Sequence, residues 1–376
     1  MKRIAMIGPV YPYKTGLSYY VGLLYRQLSK HHEVSLYSYS MQYPKFMYKK
    51  EQKDYDDDTV KVDGAEYILN SANPVSWMRL VKRIKKQNPD LLILQWLHPY
   101  FAPCYWFITK HLRKIKVLYI CHNALPHERF PADKWLTRIT LGQADYVIAH
   151  SDSDANILRE MLPKTQIKVN PHPAYNFFKI QDMTMKEGRE QLGLRMDAKV
   201  LLFFGLIREY KGLRHLIVAM SKIRQRYKDI KLLIVGDFGK EENRAFYERI
   251  IDETGIADNV DIYGGHIPIP EVEKFFAACD MVVLPYESAT QSGVIQVAYG
   301  FRKPVLATNV GGLPDVVSDK KTGYIVEPRQ PGLIADAVTD FYENQRIQEF
   351  KKHIAEESYR FSWERMEETI ERFTQI

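Results

Sequence analysis

The sequence predicts an α/β protein made of two doubly wound, parallel-sheet domains. Apolar runs of four to six residues recur along the chain, stretches with helical apolar spacing follow them, and the alternation restarts after a linker at residues 175–184. Such short apolar runs, separated by helical periods, indicate parallel strands covered on both faces. The first half begins with RIAMIG, stopped by Gly8 and Pro9, then a helix over 18–29 and the strand EVSLYSY. A helix over 74–86, the strand LLILQW, a helix near 103–113, the strand KVLYIC, a helix over 134–141 and the strands DYVIAH and IKVN follow. The second half repeats the rhythm with KVLLFFG, 213–227, KLLIVG, 243–254, NVDIYG, 271–278, MVVLPY, 294–299, PVLAT and TGYIV. Two Rossmann-like domains, 1–175 and 185–376, facing across a cleft, are the expected arrangement, with the last helix free to cross back to the first domain.

Composition narrows the function classes. A chain of 376 residues with 45% hydrophobic and 26% charged residues is globular and long enough for two domains. Three widely spaced cysteines without CxxC spacing argue against a disulfide framework or zinc ribbon and favour a reducing, cytoplasmic compartment. The start MKRIAMIGPVYP reads as a buried strand, not a signal peptide, and the most apolar stretch, LLILQWLHPYFAPCYWFI, is broken by His98, Pro99 and Pro103. A soluble protein, or one peripheral to a membrane, is expected. The net charge of +7 divides unevenly: residues 1–175 carry 25 basic against 15 acidic side chains, and residues 176–376 carry 28 against 31. No helix-turn-helix, zinc-finger or aromatic RNA-binding signature accompanies the surplus, so nucleic acid is not expected as a partner.

In doubly wound sheets ligands bind beyond the carboxyl ends of the strands. After KVLLFFG the chain reads LIREYKGLRHL, placing Arg208 and Lys211 at the start of the next helix. A helix N-terminus reinforced by two cations suits a diphosphate. After MVVLPY the turn Thr290, Gln291, Ser292, Gly293 opens a helix at Val294, exposing backbone N–H groups to phosphate oxygens. Ser and Gly before a helix are also ordinary capping residues, so this turn gains weight from its pairing with the cationic loop.

These segments, together with GPVYPYKTGLSYY, CHN and KPVLATNVGGLPDVV, resemble the retaining nucleotide-sugar glycosyltransferases of GT-B fold, family 4, over nearly the whole chain. The resemblance implies that the second domain binds a nucleotide sugar, UDP- or GDP-linked, with Arg208 and Lys211 on its phosphates. The first domain then takes a glycan or lipid-linked acceptor. It further implies a histidine beside the donor sugar, matched by His122 of YICHN, with Asn123, His127 and Glu128 as neighbouring acceptor or sugar contacts. Two histidines five apart in a proline-containing loop lack zinc geometry, so neither a metal nor a cofactor beyond the co-substrate is expected.

Two departures stand out. The family's pair of glutamates falls on Ala289 and Val297, leaving Glu287, two residues earlier, either to replace the first as a catalytic group or to be a solvated loop carboxylate. A second glycine common before the first helix is Thr15, while Gly16 still permits close approach of a phosphate or sugar. The resemblance implies retention of configuration through front-face attack by the acceptor hydroxyl. Polysaccharide or glycolipid biosynthesis is the expected setting, with an epimerase of the same fold or a noncatalytic sugar-nucleotide binder as the alternatives. On the acceptor side, the basic helix around Trp77 suits either an anionic membrane at the inner face of the cell or a plain covering role, and the aromatics from His98 to Phe107 suit sugar stacking or a core.

Overall fold

The computed structural model describes all residues except 14, 48–50, 56–57, 59–60 and 127–129, and it divides into two compact units. The first comprises Met1–Pro171 with Ser362–Ile376, the second His172–Phe361.

In the first unit the strands are β1 (Arg3–Ile7), β2 (Glu33–Met41), β3 (Glu66–Asn70), β4 (Leu91–Trp96), β5 (Lys116–Cys121), β6 (Tyr146–Ala149) and β7 (Gln166–Val169). They pair in the order β3-β2-β1-β4-β5-β6-β7, all parallel. Every residue of β4 is buried, and the pleat divides them: Leu91 and Ile93 pack with Leu24, Leu28, Met366 and Ile370. Leu92 and Leu94 face Trp77, Leu80, Val81 and Ile84 on the other side. A fully buried apolar strand is therefore what a two-sided core requires.

The helix Pro74–Gln87 buries Trp77, Leu80, Val81 and Ile84, and Arg83 on its outer side pairs with Glu66 at 2.9 Å, so the covering role holds for that apolar face. Phe101, Cys104 and Tyr105 are likewise core, which accounts for the aromatic stretch. The final helix, Trp363–Thr374, is capped by Ser362 and belongs to the first unit, seated through Met366 and Ile370.

The second unit contains β8 (Val200–Phe204), β9 (Lys231–Gly236), β10 (Val260–Gly264), β11 (Met281–Leu284), β12 (Val305–Thr308) and β13 (Gly323–Val326). Its order is β10-β9-β8-β11-β12-β13, again parallel. Leu201, Phe203, Leu232, Ile234 and Val283 meet the helices Leu213–Arg226 and Pro331–Glu343 through Leu216, Ile217, Met220, Ile334, Val338 and Phe341. A buried ion pair, Arg189 to Asp280 at 2.9 Å, fixes the amino edge of this sheet, because Asp280 also accepts from the Val200 N–H at 2.8 Å and the Tyr342 hydroxyl at 3.1 Å.

Both units are Rossmann-like. The periodicity left out β3 and the helices Asp152–Met161, Pro331–Glu343 and Ile347–Glu356. Strand β3 is an edge strand of mixed polarity, EYILN, and the late helices carry no strand between them to mark a repeat. Among the described residues no helix is long and apolar enough to cross a membrane.

Candidate functional site

Chain connections in the second unit leave β8 and β11 toward opposite sides of the sheet, so these adjacent strands bound the crevice at its carboxyl edge. The loop after β8 is laced to the end of β9: the Gly205 N–H donates to the Val235 carbonyl at 2.9 Å, and Ile207 to Asp237 at 2.8 Å. Ile207 is buried, which anchors the loop while Leu206 points outward. A short turn, Glu209–Lys211, follows, and helix Leu213–Arg226 begins beyond Gly212.

Lys211 and the start of helix Gly293–Gly300 converge at Gly205. A Cβ added to Gly205 would lie 3.3 Å from Lys211 Nζ and 3.5 Å from Val294 Cγ2. Lys211 Nζ also stands 5.3 Å from the Tyr286 ring centroid, over its face. Burial lowers the Lys211 pKa, outweighing an opposing effect of Tyr210, and nearby Arg208 adds a smaller push downward. Among the described residues neither Arg208 nor Lys211 forms an ion pair; Arg208 donates from Nη1 to its neighbour's carbonyl, Ile207 O, at 3.0 Å. Two cations without an ion pair in one loop, Lys211 desolvated beside a helix start, leave positive charge that an anion would balance.

The backbone N–H groups of Gly293 and Val294 have no partner among the described residues, as expected for the first turn of a helix. Ser292 is the cap residue but makes no side-chain capping bond, its hydroxyl lying 3.4 Å from Tyr286 Oη. Thr290 and Gln291 sit in the half-buried turn before it. That turn is held by the loop after β12: the Gly312 N–H donates to Thr290 O at 2.9 Å, and Gly311 has φ +52°. A Cβ on Gly311 would fall 1.7 Å from Ala289 O, an impossible approach, so Gly311→Ala must push the 289–290 turn away from its place. The expected result is a loss of more than about 1 kcal/mol in urea unfolding, with weaker binding of a nucleoside diphosphate measured calorimetrically.

Glu287 is not a solvated loop carboxylate. Oε1 accepts from Arg214 at 2.7 Å and lies 2.9 Å from His215 Nε2, Oε2 accepts from Arg329 at 2.7 Å, and the side chain is 8% exposed. Burial alone raises its pKa, but the hydrogen bonds from His215, Arg329 and Arg214 outweigh it and hold the carboxyl below its ordinary value. The solvated-loop expectation is therefore wrong, because the side chain lies under three cationic or titratable partners. Its backbone N–H donates to Tyr210 O at 2.7 Å, so Glu287 ties the β11 loop to the β8 loop. Ala289 and Val297 provide no carboxylate, and Val297 is buried.

In the first unit His122 follows β5. Its backbone N–H donates to Trp96 O at 2.9 Å, and its Nε2 lies 2.8 Å from Gln95 Oε1. An amide oxygen only accepts, so in this bond His122 Nε2 is the donor. The Tyr20 ring meets the imidazole edge-on at 4.7 Å. Beside it, Asn123 is half-buried, and the Ala124 N–H donates to buried Asp154 Oδ1 at 3.0 Å, which shapes the turn. Sequence reasoning missed Gln95 and Asp154. Asp154 had a local signal in Ser151-x-x-Asp154, a capping pattern in which Ser151 Oγ accepts from the Asp154 N–H at 3.1 Å. Gln95 had only its place as a polar residue inside an apolar strand. His127 and Glu128 lie outside the described residues.

Gly16 opens helix Gly16–Leu28, and among the described residues nothing lies within 4 Å of where its Cβ would stand. Thr15, where a glycine was expected, is the helix cap, accepting from the Ser18 N–H at 3.2 Å.

Residues 14–174 match the family described as Glycosyltransferase Family 4, and residues 184–361 match Glycosyl transferases group 1. A D-inositol 3-phosphate glycosyltransferase of Paenarthrobacter aurescens is 29% identical over 229 residues, covering 60% of this chain and 53% of the relative. The lipopolysaccharide 1,2-N-acetylglucosaminetransferase of Salmonella typhimurium is 26% identical over 325 residues, 83% of this chain and 73% of the relative. The chain spans about half the length of the first curated relatives it matches. Among solved structures, Anabaena HepE in complex with UDP-glucose superposes with a TM-score of 0.75 at 17% identity over 100% of both chains, a likeness of fold.

Proposed function

This chain belongs to the group 1, family 4 glycosyltransferases of GT-B fold, and from that membership we propose that it moves a hexose-type sugar from a nucleotide-sugar donor to a glycan or lipid-linked acceptor, with retention of configuration, in polysaccharide or glycolipid synthesis. The observation that carries the donor half is the meeting of Lys211 Nζ with the open start of helix Gly293–Gly300 at Gly205, with Arg208 in the same loop.

The chemistry follows from charge. As the bond from the sugar anomeric carbon to the phosphate oxygen breaks, positive charge grows on the sugar and negative charge on the departing diphosphate. Arg208, Lys211 and the Gly293 and Val294 N–H groups stabilise that diphosphate, with Thr290, Gln291 and Ser292 supplying the turn around it. These groups provide the charge stabilisation without a divalent ion. The acceptor oxygen bonds to the anomeric carbon on the face the phosphate leaves, and its proton passes to the departing phosphate oxygen. Glu287 positions the two loops. His122, held by Gln95 through Nε2, contacts substrate on the first unit, beside Asn123.

Release of nucleoside diphosphate from a panel of nucleotide sugars, with and without candidate acceptors, tests the reading, and NMR of the product gives the anomeric configuration. Acceptor-dependent release with retention supports it. Donor conversion without acceptor assigns an epimerase instead, and donor binding without turnover assigns a binding protein.

A further inference from the structure

Away from the donor loops, the last helix brings carboxylates against two histidines that are adjacent in sequence. Glu367 and Glu371 are one helical turn apart on Trp363–Thr374, and His31 and His32 follow the helix Gly16–Leu28. His32 Nε2 lies 3.0 Å from Glu371 Oε1 and 4.0 Å from Glu367 Oε1, and single donor atoms of His32, Glu367 and Glu371 all fall within 4.8 Å of one another. His32 and Glu367 are buried, at 5% and 6% side-chain exposure. Nε2 is the His32 nitrogen presented to the carboxylates, while Nδ1 is buried with no partner among the described residues.

We propose that His32, Glu367 and Glu371 bind one divalent transition-metal ion, zinc best matching one imidazole and two carboxylates, and that this ion pins the last helix to the first unit. Donors around zinc at about 2.0–2.2 Å sit about 3.3 Å apart in a tetrahedron, so the three atoms need to shift by less than about 1 Å. Two carboxylates at i and i+4 repel along a helix, and a cation between them removes that repulsion. Other groups already orient the ligands: His31 Nδ1 lies 2.9 Å from Glu367 Oε1, and Gln27 Nε2 donates to Glu367 Oε2 at 2.6 Å. Such outer hydrogen bonds commonly fix metal-binding carboxylates. A cavity of about 550 Å³, lined in part by Gln27, His31, His32, Glu367 and Glu371, opens onto the cluster and leaves room for a water as fourth ligand. The site is independent of the donor chemistry and assigns the ion a structural role.

The test uses the full chain, stripped with chelator and dialysed against zinc, with bound metal measured by elemental analysis. One ion per chain is expected, with a melting temperature that climbs as free zinc rises and a four-coordinate visible spectrum when cobalt(II) is substituted. His32→Gln and Glu371→Gln should each weaken binding by more than about 100-fold, and His31→Asn by about tenfold. Glu368→Gln, the same charge change on the same helix, should bind like the parent. Glu371 is the more exposed ligand, so its variant carries the result if His32→Gln does not fold. Absence of saturable binding at one ion per chain, or unchanged affinity in Glu371→Gln, overturns the proposal.

Discussion

Replacing Lys211 with Met should cut turnover about 10²–10³-fold while leaving the unliganded protein at least as stable as the parent. The two effects share one cause. The Lys211 ammonium is desolvated, rests over the Tyr286 ring and has no carboxylate partner among the described residues, so removing it forfeits no ion pair and relieves the cost of burying a charge. Beyond its contact with the Tyr286 ring, its main favourable interaction comes with an anion, and most strongly when the departing diphosphate gains charge. Thermal unfolding with and without nucleoside diphosphate separates the terms: the variant should match or exceed the parent without ligand and lose the ligand-induced rise. A variant that melts lower without ligand and keeps the rise would make Lys211 a structural lysine.

Glu287→Ala should act in the opposite pattern, lowering both stability and donor affinity. It leaves Arg214, His215 and Arg329 without their common carboxylate. Breaking a buried pair costs several kcal/mol, but Arg329 is 68% exposed and Arg214 37%, so water takes up part of the loss and about 2 kcal/mol is expected. For a unit of this size that corresponds to a fall of roughly 4–8 °C in Tm. The depressed carboxyl adds a pH signature. Its folded pKa lies below its unfolded one, so its contribution is complete above the ordinary carboxylate pKa and disappears as pH falls through the lower, folded value. Glu287→Gln should erase that segment of the acid profile. A direct hand on the donor sugar would instead show as a fall in kcat with unchanged Tm and unchanged acid profile.

The two loops that meet at Gly205 were legible in sequence because their information is local. A strand, a glycine, two cations and a helix start lie within a dozen residues around Gly205, and the turn 290–293 directly precedes its own helix. The alternation of strands and helices was equally local, since one parallel strand needs a continuous apolar run wherever it sits. What remained hidden depends on residues distant in the chain. Glu287 is drawn from solvent by Arg214 and Arg329, 73 and 42 positions away, and an isolated loop glutamate gives no sign of either. Gln95 meets His122 across adjacent strands β4 and β5, a pairing that only the sheet register reveals. The His32 cluster joins positions 339 apart, and nothing near either end announces it. Thr15 shows the converse case: its departure from the family glycine has a local reason, capping the helix that Gly16 opens.

The central claim is that the carboxyl edge of β8 and β11 holds a nucleoside diphosphate through Arg208, Lys211 and the amides that open helix Gly293–Gly300. Titration calorimetry of the full chain with UDP, GDP and ADP, repeated on the Arg208→Ala, Lys211→Met double variant, tests it directly. Saturable binding of at least one diphosphate by the parent, weakened more than about 100-fold in the double variant, is the predicted result. Binding of none of the three, or equal binding by both proteins, would contradict it.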